Sequence, residues 1–464
     1  MKMSRKSLPR PLWRRLSNMN DFKPIFHITG EKGWINDPNG FSFFQGKYHI
    51  FFQHHPYSNV WGPMHWGHVV SSDLLHFEYL PIALTPGDPY DKNGCFSGSA
   101  LVKDDTLYLV YTGFILVPEN EEHNQQIQCL ASSKDGIHFE KHGVIISSEQ
   151  LPSGYKTTDF RDPKVFEKDG TFYLLACSRK KEGHGSILLF RSKDLKNWEF
   201  LNDILTHDSE GEMIECVDYD KDLNLLLYSE QNFPSESEHC LNVHACEYEV
   251  GQFDSSWKFI SQGEKTLLDY GFDFYAAQML NDGKYLIAWL DMWGRNNPTE
   301  EHGFAGMLTV PRKITLEDGV LLQTPVIYGK LSEDHPFHDH EEGHLSVGTM
   351  VLDIEDLNAL SLELRKGEGE VTKFYLENDM FYFDRSQSGI PVTGDEKDPY
   401  SLKGLRKMPY RKKEKDQIIL VLDRYSIEIF VNGISMSNTV YPKESSDRFE
   451  INVDAKNASI KIYK

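Results

Sequence analysis

A short segment recurs three times in the first half of the chain, and it constrains the fold more than any other feature. Ser71–Glu78 reads SSDLLHFE, Ser133–Glu140 reads SKDGIHFE and Ser192–Glu199 reads SKDLKNWE, at a spacing of roughly 60 residues. Each copy has a Ser, a turn Asp two residues on, and an aromatic–Glu pair. An apolar run precedes each copy: Trp66–Val70, Ile127–Ala131 and Ile187–Phe190. A second run comes earlier still, at Tyr48–Gln53, Leu107–Tyr111 and Phe172–Ala176, and each follows a polar turn: Gln45-Gly46, Asp104-Asp105 and Asp169-Gly170. Short apolar runs separated by such turns predict hairpins. Two fainter copies begin near Glu215, with Leu225–Tyr228 as its second strand, and near Phe274, with Asn281-Asp282-Gly283 as the turn before Tyr285–Trp289. Five units of four antiparallel strands predict a five-bladed β-propeller. No stretch sustains a 3.6-residue period, so the expected class is all-β. The competing reading, a β-sandwich with accidental similarity, does not account for so regular a triple.

The repeat stops near Val326. Residues 327–342 are polar, rich in His and without periodicity, which predicts a linker. His335, His338 and His340 in it are expected to be solvated rather than metal ligands. From Leu345 onward come alternating runs, among them Met350–Asp353, Leu360–Leu364, Ile418–Leu422 and Ser426–Val431, with Asn432-Gly433 as a hairpin turn. These predict a β-sandwich over 343–464, after a propeller over 21–326.

The first twenty residues carry six basic side chains and no acid. They resemble the charged start of a signal peptide, but no apolar stretch follows, so a basic flexible tail over 1–20 is the expectation. Met19 is read as an alternative start. The whole chain has a formal charge of −21, which disfavours nucleic acid or an anionic membrane as partner. No run of about 18 apolar residues predicts a membrane span. Six Cys without a CxxC pair predict free thiols and a cytoplasmic location.

In a propeller the first strand of every blade lines the axis, so first-strand residues converge. Asp37, Asp162 and Glu215 fall at equivalent positions of units one, three and four. Acids crowded in one pocket repel each other and are seldom there for stability. Two carboxylates in different environments are the minimum for glycoside hydrolysis. The blander reading takes Asp37 and Asp162 as Asp-Pro turn formers, which leaves their shared register unexplained.

The blocks WINDPNG (34–40), RDP (161–163), EC (215–216) and DFYAAQ (273–278) resemble glycoside hydrolase family 32, the invertases, fructan hydrolases and sucrose-6-phosphate hydrolases. FFQHHP (51–56), FSGSA (96–100), AWLDMWGR (288–295) and GMLTVPRKITL (306–316) agree with it. The resemblance implies a five-bladed propeller followed by a β-sandwich, and a retaining β-fructofuranosidase acting on sucrose, sucrose 6-phosphate or short fructo-oligosaccharides. It implies Asp37 as nucleophile, Glu215 as acid and base, and Asp162 as transition-state stabiliser. Trp34, Asn36, Gln53, Trp61, Phe96, Ser97, Arg161, Tyr275, Trp289 and Trp293 match the sugar pocket. Glu215 is then expected to be protonated near neutrality, Asp37 to be ionised with help from blade-one amides or Asn36, and Arg161 to keep Asp162 charged. No cofactor or metal is expected, and EDTA should leave the rate unchanged. A fructosyltransferase using the same intermediate and a non-catalytic sugar-binding propeller are the alternatives. The sandwich is expected to brace the propeller or to form a homodimer. Gly30, Ile214 and Val217 depart from the family's pattern, where Pro, Trp and Pro are usual.

Overall fold

A computed structural model describes residues 23–207, 213–232, 242–281, 283–393, 403–443 and 445–464. The basic tail with Met19, Cys240 and Asp282 lie outside the described residues. Five sheets form the propeller and two six-stranded sheets form the sandwich. Among the described residues the only helices are short 3-10 turns, and none is long and apolar enough to cross a membrane.

The hairpin turns explain how each blade begins. Gln45-Gly46, Asp104-Asp105 and Asp169-Gly170 all have positive φ at both positions, the mirror-image turn that matches the twist of paired strands. The repeated Ser-x-Asp segment builds the next connection. Asp73 Oδ1 accepts from the Leu75 and His76 amides at 2.9 Å, and Asp135 and Asp194 repeat the same pair of bonds. The repeat read from the sequence is therefore a turn that carries the chain from the third strand of a blade to the fourth.

The ring closes through blade five. After Tyr285–Trp289 the chain leaves that blade, adds Phe304–Ala305 in parallel beside Gly33–Trp34 of blade one, and returns at Arg312–Glu317. Apolar clusters fill the spaces between neighbouring blades, as with Leu175, Ile187, Ile214 and Tyr228 between blades three and four. Ile214 and Val217 pack into this cluster, so the departures from the family's pattern stay apolar and buried. A β-carbon on residue 30 would stand 2.9 Å from the His54 ring, which is why Gly suits that position here.

The stretch 327–342 is not a linker. Leu331–Phe337 pairs with Asn457–Tyr463 at the edge of one sandwich sheet, and His340–His344 pairs with Arg448–Asp454 at the edge of the other. Edge strands are held by main-chain bonds and face solvent, so polar and charged side chains suit them and hide the period-two signal. His335 meets Glu341 at 3.2 Å and His340 meets Asn452 at 3.1 Å.

Propeller and sandwich meet through buried charges. His27 of the propeller places Nδ1 2.9 Å from Asp423 and Nε2 2.8 Å from Glu428, both on the sandwich. Arg312 pairs with Glu428 and with Asp269, and all three are buried. Burial alone would lower the His27 pKa, but the two carboxylates outweigh it and raise it to about 9. A raised histidine pKa contributes stability that is complete below the ordinary value of 6.5 and is lost as pH rises through 9. The contribution is on the order of 3 kcal/mol. Urea unfolding of the wild type should therefore show falling stability between these limits. A His27→Gln variant should be less stable at pH 6 and much flatter above it, and equal slopes would contradict the assignment.

Candidate active site

All five inner strands break register at the same level. Asn36 and Asp37 oppose only Gln53; Ser97 has no counterpart between Thr112 and Tyr111. Asp162 and Pro163 oppose Ala176, Cys216 and Val217 oppose Tyr228, and Ala276 and Ala277 oppose Ala288. These are β-bulges, and each re-aims a side chain or an amide toward the axis. Asp162, Cys216 and Ala276 take φ of 61°, 49° and 53°, a left-handed conformation that costs on the order of 1–3 kcal/mol per non-glycine residue. Strain repeated around one axis points to a site rather than to packing.

The bulges bring the three acids together. Asp37 Oδ2 accepts from Ser97 Oγ at 2.5 Å, and Oδ1 accepts from Asn36 Nδ2 at 3.1 Å. The Cys216 thiol lies 3.4 Å from Asp37 Oδ2 and 3.6 Å from Asp162 Oδ2. The Cys216 amide donates to Asp162 Oδ2 at 2.8 Å. Glu215 is held at both oxygens: Arg161 Nη2 donates to Oε1 at 2.7 Å and the Tyr275 hydroxyl to Oε2 at 2.8 Å. The bulge residues enclose a void of only about 10 Å³, so the floor beneath the acids is packed.

Electrostatics differ from expectation at both Asp162 and Asp37, which are raised. Arg161 turns to Glu215 and lies 3.9 Å from Asp162. It opposes the rise at Asp162 without cancelling it: burial, then the Glu215 and Asp37 charges, push this acid up to about 7. Burial also raises Asp37; Ser97, Asn36 and Cys216 pull it back while Glu215 adds to the rise. The donors to Asp37 are side chains from blades one, two and four, and Asn36 is one of them.

The surrounding residues divide into a rim and a wall. Trp61 is 46% exposed and meets Phe96 edge-on at 5.7 Å, while Phe96 stacks on Phe114 at 4.5 Å. Trp34, Trp289 and Trp293 form one aromatic cluster with ring centroids 5.0–5.9 Å apart. Trp289 has no exposed surface, so it backs the other two rings. Trp34 Nε1 donates to Asn36 Oδ1 at 2.8 Å, and Gln53 Nε2 donates to the Cys95 carbonyl at 3.1 Å. Both amides are thereby fixed in orientation.

Several site residues escaped the sequence reading. Cys216 bridges two acids. Asn39 accepts from the Gly98 amide at 3.0 Å, and Gln278 ties Phe41 of blade one to Gly98 of blade two. All three sit inside quoted blocks, where the signal was available. Thr112, which caps the Asp162 amide at 3.0 Å, and Gln126, 3.3 Å from Arg161, lie in no such block.

Comparison with known proteins places this geometry in context. Residues 27–325 match the model of the glycosyl hydrolases family 32 N-terminal domain, and residues 330–464 match that of the family's C-terminal domain. A sucrose-6-phosphate hydrolase of Zymomonas mobilis is 35% identical over 92% of this chain and 88% of its own length. A raffinose invertase of Escherichia coli is 36% identical over 93% and 92%. The solved sucrose-6-phosphate hydrolase of Lactobacillus gasseri superposes with a TM-score of 0.87 at 25% identity, covering 98% of this chain and 96% of that one. A Bombyx mori GH32 β-fructofuranosidase superposes with a TM-score of 0.80 at 29% identity over 97% of both chains, and a variant of it is solved in complex with sucrose.

Proposed function

This chain belongs to glycosyl hydrolases family 32 and is a glycoside hydrolase, and on that premise we propose that it cleaves the β-fructosyl bond of sucrose or sucrose 6-phosphate with retention, through Asp37, Glu215 and Asp162. The observation that carries the proposal is the meeting of these three acids on bulged inner strands of three blades.

Asp37 is the nucleophile. It attacks the anomeric carbon of the fructosyl unit, and the bond to the leaving oxygen breaks as Glu215 delivers its proton there. Arg161 donates to Glu215 Oε1 and the Tyr275 hydroxyl to Oε2, so the acid is held in place at both oxygens. Glu215, now ionised, takes a proton from water, which displaces Asp37 from the same carbon. Two displacements at one centre retain configuration. Asp162 contacts the fructose hydroxyls, held in place by the Cys216 amide at its Oδ2.

Relative rates on sucrose, sucrose 6-phosphate and inulin-type oligomers test the reading. Activity on the first two is expected, with the β-anomer of fructose released first; inactivity on all three, or release of the α-anomer, sinks it. Trp61 at the rim stacks on the sugar. Trp61→Ala should raise KM about tenfold with little change in kcat, as expected for the loss of about 1.4 kcal/mol of aromatic contact. The five described cysteines are free thiols, which supports a cytoplasmic enzyme acting on an imported sugar. Dimerisation through the sandwich remains part of the proposal, and light scattering of the purified protein decides it.

A further inference from the structure

We propose that Arg385, on the sandwich, is a positioning residue for the acid at Glu215, acting through Asp273 and Tyr275; the inference rests on the reading of Glu215 as proton donor. Residues 269–273, just ahead of the Tyr275 strand, lie along the sandwich edge strand Ile434–Thr439. The Tyr270 amide donates to the Ser435 carbonyl at 2.9 Å and the Asp273 amide to the Ser437 carbonyl at 3.0 Å. The approach is so close that a β-carbon on Gly271 would stand 2.1 Å from the Ser437 oxygen. Phe272 has no exposed surface and belongs to the sandwich core. Three guanidinium groups lie over its ring, Arg385 at 3.7 Å, Arg406 at 4.0 Å and Arg295 at 5.9 Å from the centroid.

Asp273 is the fixed point. Its Oδ2 accepts from Arg385 Nη1 at 2.8 Å, the Thr439 amide at 2.7 Å and Thr439 Oγ1 at 2.8 Å. Its Oδ1 pairs with Arg295, two residues beyond Trp293. Two residues after Asp273, the Tyr275 hydroxyl donates to Glu215 Oε2 at 2.8 Å. The sandwich holds the backbone at 273, and that backbone sets where the tyrosine hydroxyl meets the acid. A misplacement of about 1 Å at such a contact costs up to about a hundredfold in rate.

The test uses the full chain with two substrates: sucrose, whose leaving oxygen needs protonation, and 4-nitrophenyl β-D-fructofuranoside, whose phenolate leaves with little help. Arg385→Lys keeps the charge but loses the planar guanidinium that lies over Phe272 and reaches Asp273 through Nη1. Its kcat/KM on sucrose should fall about tenfold, and on the aryl substrate less than about threefold. In a Tyr275→Phe background the same substitution should cost nothing further on sucrose, because the two residues act on one contact. Equal losses on both substrates, additive losses in the double variant, or no loss at all would overturn the proposal. If Arg385→Lys does not fold, Thr439→Val removes one donor from the same carboxylate and should show the same leaving-group bias; an unbiased loss counts against it. Glu215→Gln, run alongside, separates the two readings. If it lacks the leaving-group bias, the assignment of the acid fails; if it has the bias and Arg385→Lys does not, only this inference fails.

Discussion

Asp37→Asn is expected to lower kcat on sucrose by about 10⁴-fold or more, the scale on which loss of a covalent nucleophile acts, without lowering the melting temperature. The substitution keeps shape and volume. It removes a negative charge that burial and Glu215 both disfavour, since the structure raises the Asp37 pKa. The Ser97 hydroxyl can rotate to accept from the new amide instead of donating to a carboxylate. Loss of activity with stability kept or raised would mark Asp37 as a residue held for chemistry. A variant that retains a tenth of the activity, or that unfolds, would remove it from that role.

Glu215→Gln is expected to cost about 10²- to 10⁴-fold on sucrose, the usual contribution of a positioned acid. The loss should shrink sharply with an aryl leaving group. Gln cannot deliver a proton, but it still accepts from Arg161 at one oxygen, so binding should change little. A comparable loss on both substrates would mean that Glu215 positions the sugar instead of protonating the leaving group. The site would then need a different donor, and Asp162, which burial and the neighbouring acids lift to about 7, would be the first to substitute.

The two predictions rest on different amounts of sequence information. The approximate level of Asp37, Asp162 and Glu215 follows from a period of roughly 60 residues, because turns and strand alternation are local and repeat wherever the local sequence repeats. Their positions are not equivalent, since Asp37 is the second residue of its bulge, Asp162 the first of its own, and Glu215 stands just ahead of the third. The bulges that aim these acids were not legible in the same way. They depend on one residue too many opposite a partner strand, and no single segment shows that count. Arg161 was legible only in part: it lies 3.9 Å from Asp162 and opposes that acid's rise, but it hydrogen-bonds to Glu215. Its neighbour in sequence is Asp162, but the guanidinium also reaches across to the acid of the next blade, which no local segment shows. Trp289 matches the sugar pocket by its block, yet whether its ring is exposed depends on what crowds it, here Trp34 and Trp293.

By itself the sequence determined the all-β class, the five-unit propeller with a sandwich after it, and which three of 70 acids lie on inner strands near one end of the axis, though not their register. Each of these is carried by patterns a few residues long, repeated. The tertiary structure alone decided that 331–344 forms two sheet edges, that Arg161 serves Glu215, and that the sandwich grips Asp273 behind the Tyr275 strand. Those outcomes come from groups that are 54 and 112 residues apart in the chain for the two arginine contacts. Which of several possible partners a buried charge takes is set by distance and desolvation once the chain has closed, and only the folded arrangement supplies both.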